Sequence, residues 1–311
     1  MVMVPFTKMV GTGNDFIVVD TRRRPVSPAM RWAAFSRTWC DRRHGIGADG
    51  VLVLEPSKTA TIKMRVINPD GSEAEMCGNG ARCVALYLKQ ATSDKPAAAR
   101  VRGGPGRQAT RNGIVQIETL AGVLSASVRD HHVAMRMMDP TGLRLDQAIT
   151  VGQRRFRYGF VNTGVPHIVV RVTALDTVDV QGLGRALRYH ARFSPKGTNV
   201  NFLQPHPSRS NRWRIRTYER GVEGETLACG TGVAAAAIIH GAPQAATARP
   251  SGSTQTRRIE VETRSGDVLR VSFVVRMFGS RLSVTDVVLE GPATRVFDGS
   301  VSWPARRTSW H

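Results

Sequence analysis

The chain has 311 residues, room for two domains of ordinary size, and 41% of them are hydrophobic, which excludes wholesale disorder. No run approaches the roughly 20 apolar residues that cross a bilayer, and the start, MVMVPFTKMVGTGND, lacks a basic stretch followed by an apolar one; a soluble, cytoplasmic protein without a signal peptide is expected. The formal charge of +20 could suit a polyanion, but the arginines are scattered, as at Arg42–Arg43, Arg154–Arg155 and Arg257–Arg258, with no basic helix or aromatic-interleaved stripe, so nucleic acid is not the expected partner.

In chain order, the predicted elements are mostly strands. FTKMVG, DFIVVD, GVLVLE and IKMRVIN, between Phe6 and Asn68, are rich in β-branched residues and bounded by Gly, Asp and Asn. Between the second and third, Ser27-Pro28 reads as the N-cap and first position of a helix running to about Arg42. ARCVALYLKQ, from Ala81, reads as a helix, and residues 95–113, rich in Ala, Gly, Pro and Arg, read as an exposed loop. Strands resume at IVQIETL, VLSASV and HVAMRMM. A helix is predicted near Gly182–His190, strands at NVNFLQ and RWRIRTYE, and an Ala-rich helix over Val233–His240. Residues 241–258 read as a second loop, Arg258 to Phe297 as strand throughout, and RRTSWH as a frayed end.

The sequence echoes itself. MRVINPDGSEAEMCGNGARCVALYL in the first half and IRTYERGVEGETLACGTGVAAAAII in the second both run strand, acidic turn, Cys-Gly-x-Gly, apolar helix. Their cysteines, Cys77 and Cys229, are 152 residues apart, about half the chain. A duplicated fold with one cysteine per half, facing across a cleft, accounts for this. Cys40 and Cys83, the other two, read as structural. No C-x-x-C pair or cofactor motif occurs, so neither metal nor cofactor is expected.

C-G-x-G before a helix has a physical meaning. The first helical turn leaves backbone N–H groups without partners, the helix dipole adds positive potential, and glycine lets a ligand approach. An anion fits there. A cysteine at the lip is expected to have its pKa lowered below about 8.5. Two such sites would hold one carboxylate between two sulfurs. That suits inversion of an amino-acid α-carbon: one thiolate removes the proton, one thiol returns it on the other face, and N–H groups stabilise the charge that spreads into the carboxylate.

Six blocks in order, GTGNDFIVVD (11–20), GIGADGVLVLE (45–55), NPDGSEAEMCGNGARC (68–83), NTGVPHIVV (162–170), GTNVNF (197–202) and ERGVEGETLACGTG (219–232), resemble the diaminopimelate epimerase family over almost the whole chain. The resemblance implies an α+β fold of two pseudo-symmetric domains, each a rolled, mostly antiparallel sheet around a central helix. The expected boundaries are 1–132 plus about 285–311 for the half with Cys77, and 133–284 for the half with Cys229. It implies interconversion of L,L- and meso-diaminopimelate for lysine and peptidoglycan precursor synthesis, without cofactor or metal, by a homodimer. By position, Cys77 resembles the proton donor and Cys229 the acceptor, roles that swap with direction. Gly78, Asn79, Gly230 and Thr231 match the helix ends that hold the reacting carboxylate. Asn14, Asn68, Asn199, Glu219 and Arg220 match side chains that bind the rest of the substrate, and His167 and Glu219 match positions that tune the cysteines.

Two positions depart from the pattern. Many members have Gln where this chain has Gly50, and Asn where it has Val165. Since that Asn helps bind the distal carboxylate, a related two-cysteine racemase of another amino acid, such as histidine, is the alternative. A non-catalytic binding protein is the reading from a different class, and two intact Cys-Gly-x-Gly turns weigh against it.

Overall fold

A computed structural model describes residues 1–22, 30–93, 113–247, 254–278 and 281–304. The helix start at Ser27-Pro28, nearly all of the 95–113 loop and the RRTSWH end lie outside them. The elements are β1 (Val2–Gly11), β2 (Asn14–Asp20), α1 (Trp32–Trp39), β3 (Gly50–Glu55), β4 (Ile62–Ile67), β5 (Glu73–Ala74), α2 (Gly78–Ser93), β6 (Ile114–Thr119), β7 (Gly122–Arg129) and β8 (His132–Arg136). There follow β9 (Thr141–Val151), β10 (Arg154–Asn162), β11 (Pro166–Arg171), α3 (Val180–Arg188), β12 (Asn199–Pro205), β13 (Arg212–Glu219), β14 (Gly224–Thr226), α4 (Gly230–Thr247), β15 (Thr254–Glu262), β16 (Val268–Phe278), β17 (Arg281–Pro292) and β18 (Thr294–Trp303). The chain forms two compact units, Met1–Met135 with Pro292–His311, and Arg136–Gly291.

In the first unit the strands run β18-β1-β2-β3-β4-β6-β7. Their pairings are antiparallel, antiparallel, parallel, antiparallel, parallel and antiparallel. In the second they run β9-β10-β11-β12-β13-β15-β16, with the same succession of senses, and β17 continues antiparallel. The short β5 pairs with β4 as β14 pairs with β13. The echo read in the sequence is thus an echo of topology, and the α+β class holds.

Each sheet is covered on both faces, as period-2 side chains show. On β3, Leu52 and Leu54 join the core around α2, while Val51 and Val53 join the core under α1. On β12, Leu203 packs toward α4, and Val200 and Phe202 toward α3. The central helices are correspondingly apolar: Ala81 and Val84–Leu86 in α2, Val233–Ile238 in α4. A two-residue turn, Thr12-Gly13, both with positive φ, joins β1 to β2 and fixes the Gly11–Asn14 register.

Two readings of the sequence need correction. Residues 241–258 are not one loop: α4 continues to Thr247 through Pro243, and β15 begins at Thr254. Packing overrides the local breakers, because Ala242 is fully buried and Gly241 lies close against Phe273 and Ile259. The run 139–181, read without elements, holds β9, β10 and β11. In β10, Phe156, Tyr158 and Phe160 alternate with arginines and Gly159, which masks the strand signal.

Candidate active site

In the first unit Cys77 caps α2. Its carbonyl accepts from Ala81 N (2.8 Å), and its sulfur accepts from Gly80 N (3.4 Å). The two glycines of the motif do different work. A Cβ on Gly78 would meet nothing within 4 Å, so the helix end is open there; one on Gly80 would lie 2.9 Å from Leu52 Cδ2, so this glycine lets α2 sit on β3. Among the described residues, the N–H groups of Gly78 and Asn79 make no hydrogen bond. Asn79 donates to Asn14 Oδ1 (2.6 Å), Asn14 donates to Asp49 Oδ2 (2.9 Å), and the buried Arg82 donates to Asn79 Oδ1 (2.6 Å) and Thr12 Oγ1 (2.5 Å). Asn14 and Asn79 are therefore joined in one network beside the cysteine cap. Burial raises the neighbouring Asp15 carboxyl, but Arg42 and Lys8 outweigh it and hold it down at about 2. Asn68 stands apart, in the β4–β5 turn, where its amide donates to Ser72 Oγ (3.0 Å).

The second unit repeats the arrangement. Cys229 caps α4, its carbonyl accepting from Val233 N (2.9 Å), and its thiol lies 3.4 Å from Thr231 Oγ1. Gly230 N makes no hydrogen bond among the described residues. A Cβ on Gly232 would lie 2.4 Å from Asn201 Oδ1, so α4 sits on β12 as α2 sits on β3. Asn201 is held on three sides: it donates to Ile168 O (2.8 Å), accepts from Thr217 Oγ1 (3.0 Å) and stands 3.2 Å from His167 Nδ1.

The charges here are unusual. Cys229 is buried, and burial pushes its thiol up to about 12; the Glu219 carboxylate adds to this, against the hydrogen bond to Thr231. The expectation of a lowered thiol pKa is corrected for Cys229: desolvation outweighs the helix N-terminus. Burial also raises Glu219, opposed by hydrogen bonds from Thr226 Oγ1 (2.9 Å) and from the Cys229 thiol. His167 is fully buried, and burial, followed by the Arg220 guanidinium, lowers it to about 3, so it is neutral at pH 7. Asn199 donates to Pro166 O (2.9 Å) and accepts from Arg220 N (2.8 Å). The Arg220 guanidinium reaches only Lys196 O (3.3 Å) and has no carboxylate partner among the described residues.

Both departures have a structural setting. A side chain on Gly50 would start 3.0 Å from Ile67 O. Val165 lies in a turn whose Gly164 N–H is taken by Asn162 Oδ1 (3.0 Å). Cys40 and Cys83 are buried, and burial raises both thiols, Cys83 to about 12. Arg82, Asp49 and Asn201 escaped the sequence reading. An arginine inside an apolar helix and an asparagine at a core-facing strand position were the signals that could have found Arg82 and Asn201.

The sequence profile described as "Diaminopimelate epimerase" matches residues 6–142 and 159–274. The chain is 37% identical over 305 residues to a diaminopimelate epimerase of Aquifex aeolicus (strain VF5), covering 96% of this chain and 97% of that protein. It is 38% identical over 311 residues to one of Methanocella arvoryzae (strain DSM 22066 / NBRC 105507 / MRE50), covering 97% and 98%. Among crystal structures, the chain is similar to a hydroxyproline epimerase from Agrobacterium vitis (TM-score 0.60, 18% identity, 96% of this chain and 91% of that one). It is also similar to a Bacillus anthracis phenazine biosynthesis protein of the PhzF family (TM-score 0.64, 16% identity, 97% and 100%). At these identities the two crystal structures speak to the fold alone. No helix among the described residues is long and apolar enough to cross a membrane.

Proposed function

The chain belongs to the diaminopimelate epimerase family, and from that premise we propose that it interconverts L,L- and meso-diaminopimelate by acid/base chemistry at Cys77 and Cys229. One sulfur, as thiolate, removes the α-proton. The electron pair left on the α-carbon spreads into the carboxylate, and the other sulfur, as thiol, returns a proton to the opposite face. The N–H groups at Gly78–Asn79 and Gly230–Thr231 stabilise the charge as it grows on the carboxylate. The observation that carries this reading is the repeated cap: each unit sets one cysteine at the start of its central helix, beside a glycine whose N–H has no partner among the described residues.

Cys229 is a thiol in the unliganded protein and so enters as the acid in one direction. In the other it acts as base after passing its proton to Glu219, whose raised pKa suits it to accept. Cys77 takes the complementary role each time. Arg220, without a carboxylate partner among the described residues, takes the distal carboxylate in a bidentate clamp, with Asn199 bonded to its backbone, and Asn14 and Asn68 contribute to substrate binding. No cofactor enters the scheme. The reaction serves lysine and peptidoglycan precursor synthesis in the cytoplasm, and the working form is a homodimer.

The test is incubation with L,L-diaminopimelate in D2O, following loss of the α-proton signal by NMR. Wild type exchanges and epimerises; Cys77→Ala and Cys229→Ala stay folded by circular dichroism and do neither. Near-wild-type turnover by either variant refutes the two-cysteine scheme. Faster turnover of histidine than of diaminopimelate moves the substrate to a single-headed amino acid, the reading that Gly50 and Val165 favour, and leaves the scheme in place.

A further inference from the structure

The doubled topology provides an internal comparison. Gly80 lies against Leu52 as Gly232 lies against Asn201, and each glycine is the third residue after its cysteine. In the strand order β2, β3 and β4 correspond to β11, β12 and β13. The registers Phe16↔Gly50 and Leu52↔Val66 answer to His167↔Asn199 and Asn201↔Thr217. The apolar trio Phe16, Leu52 and Val66 of one unit therefore stands where the other unit has His167, Asn201 and Thr217, and all six are buried. One copy of the fold fills this place with hydrocarbon, so packing does not demand three polar side chains in the other. Burying them is unfavourable unless they are hydrogen-bonded, and their bonds follow one pattern.

The Asn201 amide can point only one way. Its Nδ2 donates to Ile168 O (2.8 Å), and its Oδ1 accepts from Thr217 Oγ1 (3.0 Å). Turned over, it would set its oxygen against the Ile168 carbonyl oxygen, acceptor facing acceptor. Its second N–H therefore faces His167 Nδ1, 3.2 Å away. Nδ1 accepts, and in a neutral imidazole the proton then sits on Nε2. Burial, followed by the Arg220 guanidinium, keeps the ring neutral. Nε2 is itself buried and has no hydrogen-bond partner among the described residues. The second unit thus carries, behind the start of α4, a neutral imidazole with one nitrogen satisfied and the other a donor without an acceptor. Such a donor matches a negative charge that appears only when the site is loaded.

We infer that Asn201 is a positioning residue for the reaction proposed above: with Thr217 behind it, it locks His167 as the tautomer protonated on Nε2, a hydrogen-bond donor to the anion of the loaded site and not a base. The chemistry rests on the two-cysteine reading, but the tautomer is measured without substrate. The experiment is long-range 1H–15N correlation NMR of the unliganded full chain carrying 15N-histidine, at neutral pH, with the His167 signals assigned by their loss in His167→Asn. Wild type should show a protonated Nε2 and a bare Nδ1. Asn201→Asp sets an acceptor where the amide donor stood, so Nδ1 should become protonated. Asn201→Ala removes the donor without adding a charge and keeps the test should the Asp variant not fold; its Nδ1 resonance should move downfield as the hydrogen bond is lost. In both variants kcat with diaminopimelate should fall about tenfold or more, the loss of a donor to a charged group, with a smaller change in KM. A protonated Nδ1 in wild type, an Nδ1 signal unmoved in the variants, or an unchanged kcat overturns the inference. If wild type leaves diaminopimelate untouched while the NMR outcomes hold, the substrate reading fails and the tautomer lock stands.

Discussion

Cys229 offers the sharpest test of the electrostatics. With its pKa pushed up to about 12 by burial and by Glu219, the thiolate fraction at pH 8 is about one in ten thousand, against about a quarter for an ordinary cysteine of pKa ~8.5. Alkylation requires the thiolate, so Cys229 should react roughly a thousandfold more slowly than an ordinary thiol at that pH. Limited access would also slow it, but access scales the rate alike at every pH, whereas ionisation gives a slope. The assay is chloroacetamide labelling of a Cys77→Ser variant between pH 7 and 10, with each site followed by peptide mass spectrometry to separate Cys229 from Cys40 and Cys83. The rate at Cys229 should climb about tenfold per pH unit across the range. Glu219→Gln removes the carboxylate that adds to the shift, so labelling at pH 8 should quicken while the slope begins to level at lower pH. A plateau below pH 9 in the parent, or no acceleration in Glu219→Gln, would refute the reasoning.

Other outcomes follow from the same geometry. Gly232→Ala should destabilise the protein by about 1–3 kcal/mol in urea unfolding: the gain of up to ~1 kcal/mol in helix propensity is outweighed by a methyl set 2.4 Å from the thrice-held Asn201 side chain. His167 is lowered from 6.5 to about 3, so the unfolded state binds more protons between those values and stability falls as pH drops through that window. Between pH 7 and pH 5 wild type should lose about 2 kcal/mol more than His167→Asn, and equal losses would exclude a buried neutral imidazole. With diaminopimelate, Arg220→Ala should lower kcat/KM at least a hundredfold, by leaving a substrate carboxylate unpaired, while Val165→Asn should be neutral or lower KM by up to about tenfold. Steady-state kinetics on the two variants decide this, and the reverse order of damage would remove Arg220 from the clamp.

Much of this was legible in the sequence because it is local. The Cys-Gly-x-Gly turns, the apolar helices after them and most strands are written in runs of a few residues. What could not be read depends on which face a residue meets. GVLVLE is apolar without a break from Val51 to Leu54 because helices cover both sides of β3, whereas NVNFLQ, in the matching place, carries Asn199 and Asn201. Only the fold shows that Asn201 turns toward α4, where Gly232 makes room for it. The thiol of Cys229 was misjudged for a related reason: a helix N-terminus is visible in the sequence, but the depth of burial and the Glu219 carboxylate beside it are products of tertiary packing. The arginines of β10 hid its alternation, and Pro243 disguised a helix that buried contacts carry onward.

The pairing of β18 with β1, from Val2↔Trp303 to Val10↔Thr294, bears on the order in which the protein can be made. Residues 136–291 form one uninterrupted unit and can fold as soon as they leave the ribosome, while the other unit waits with its first strand lacking a neighbour on one side. Through that interval Val4 and Phe6, buried in the finished fold, belong to an incomplete sheet whose open edge can recruit another chain. Translation speed and chaperone capture between residues 136 and 303 therefore bear on the yield of the Cys77 half far more than on that of the Cys229 half.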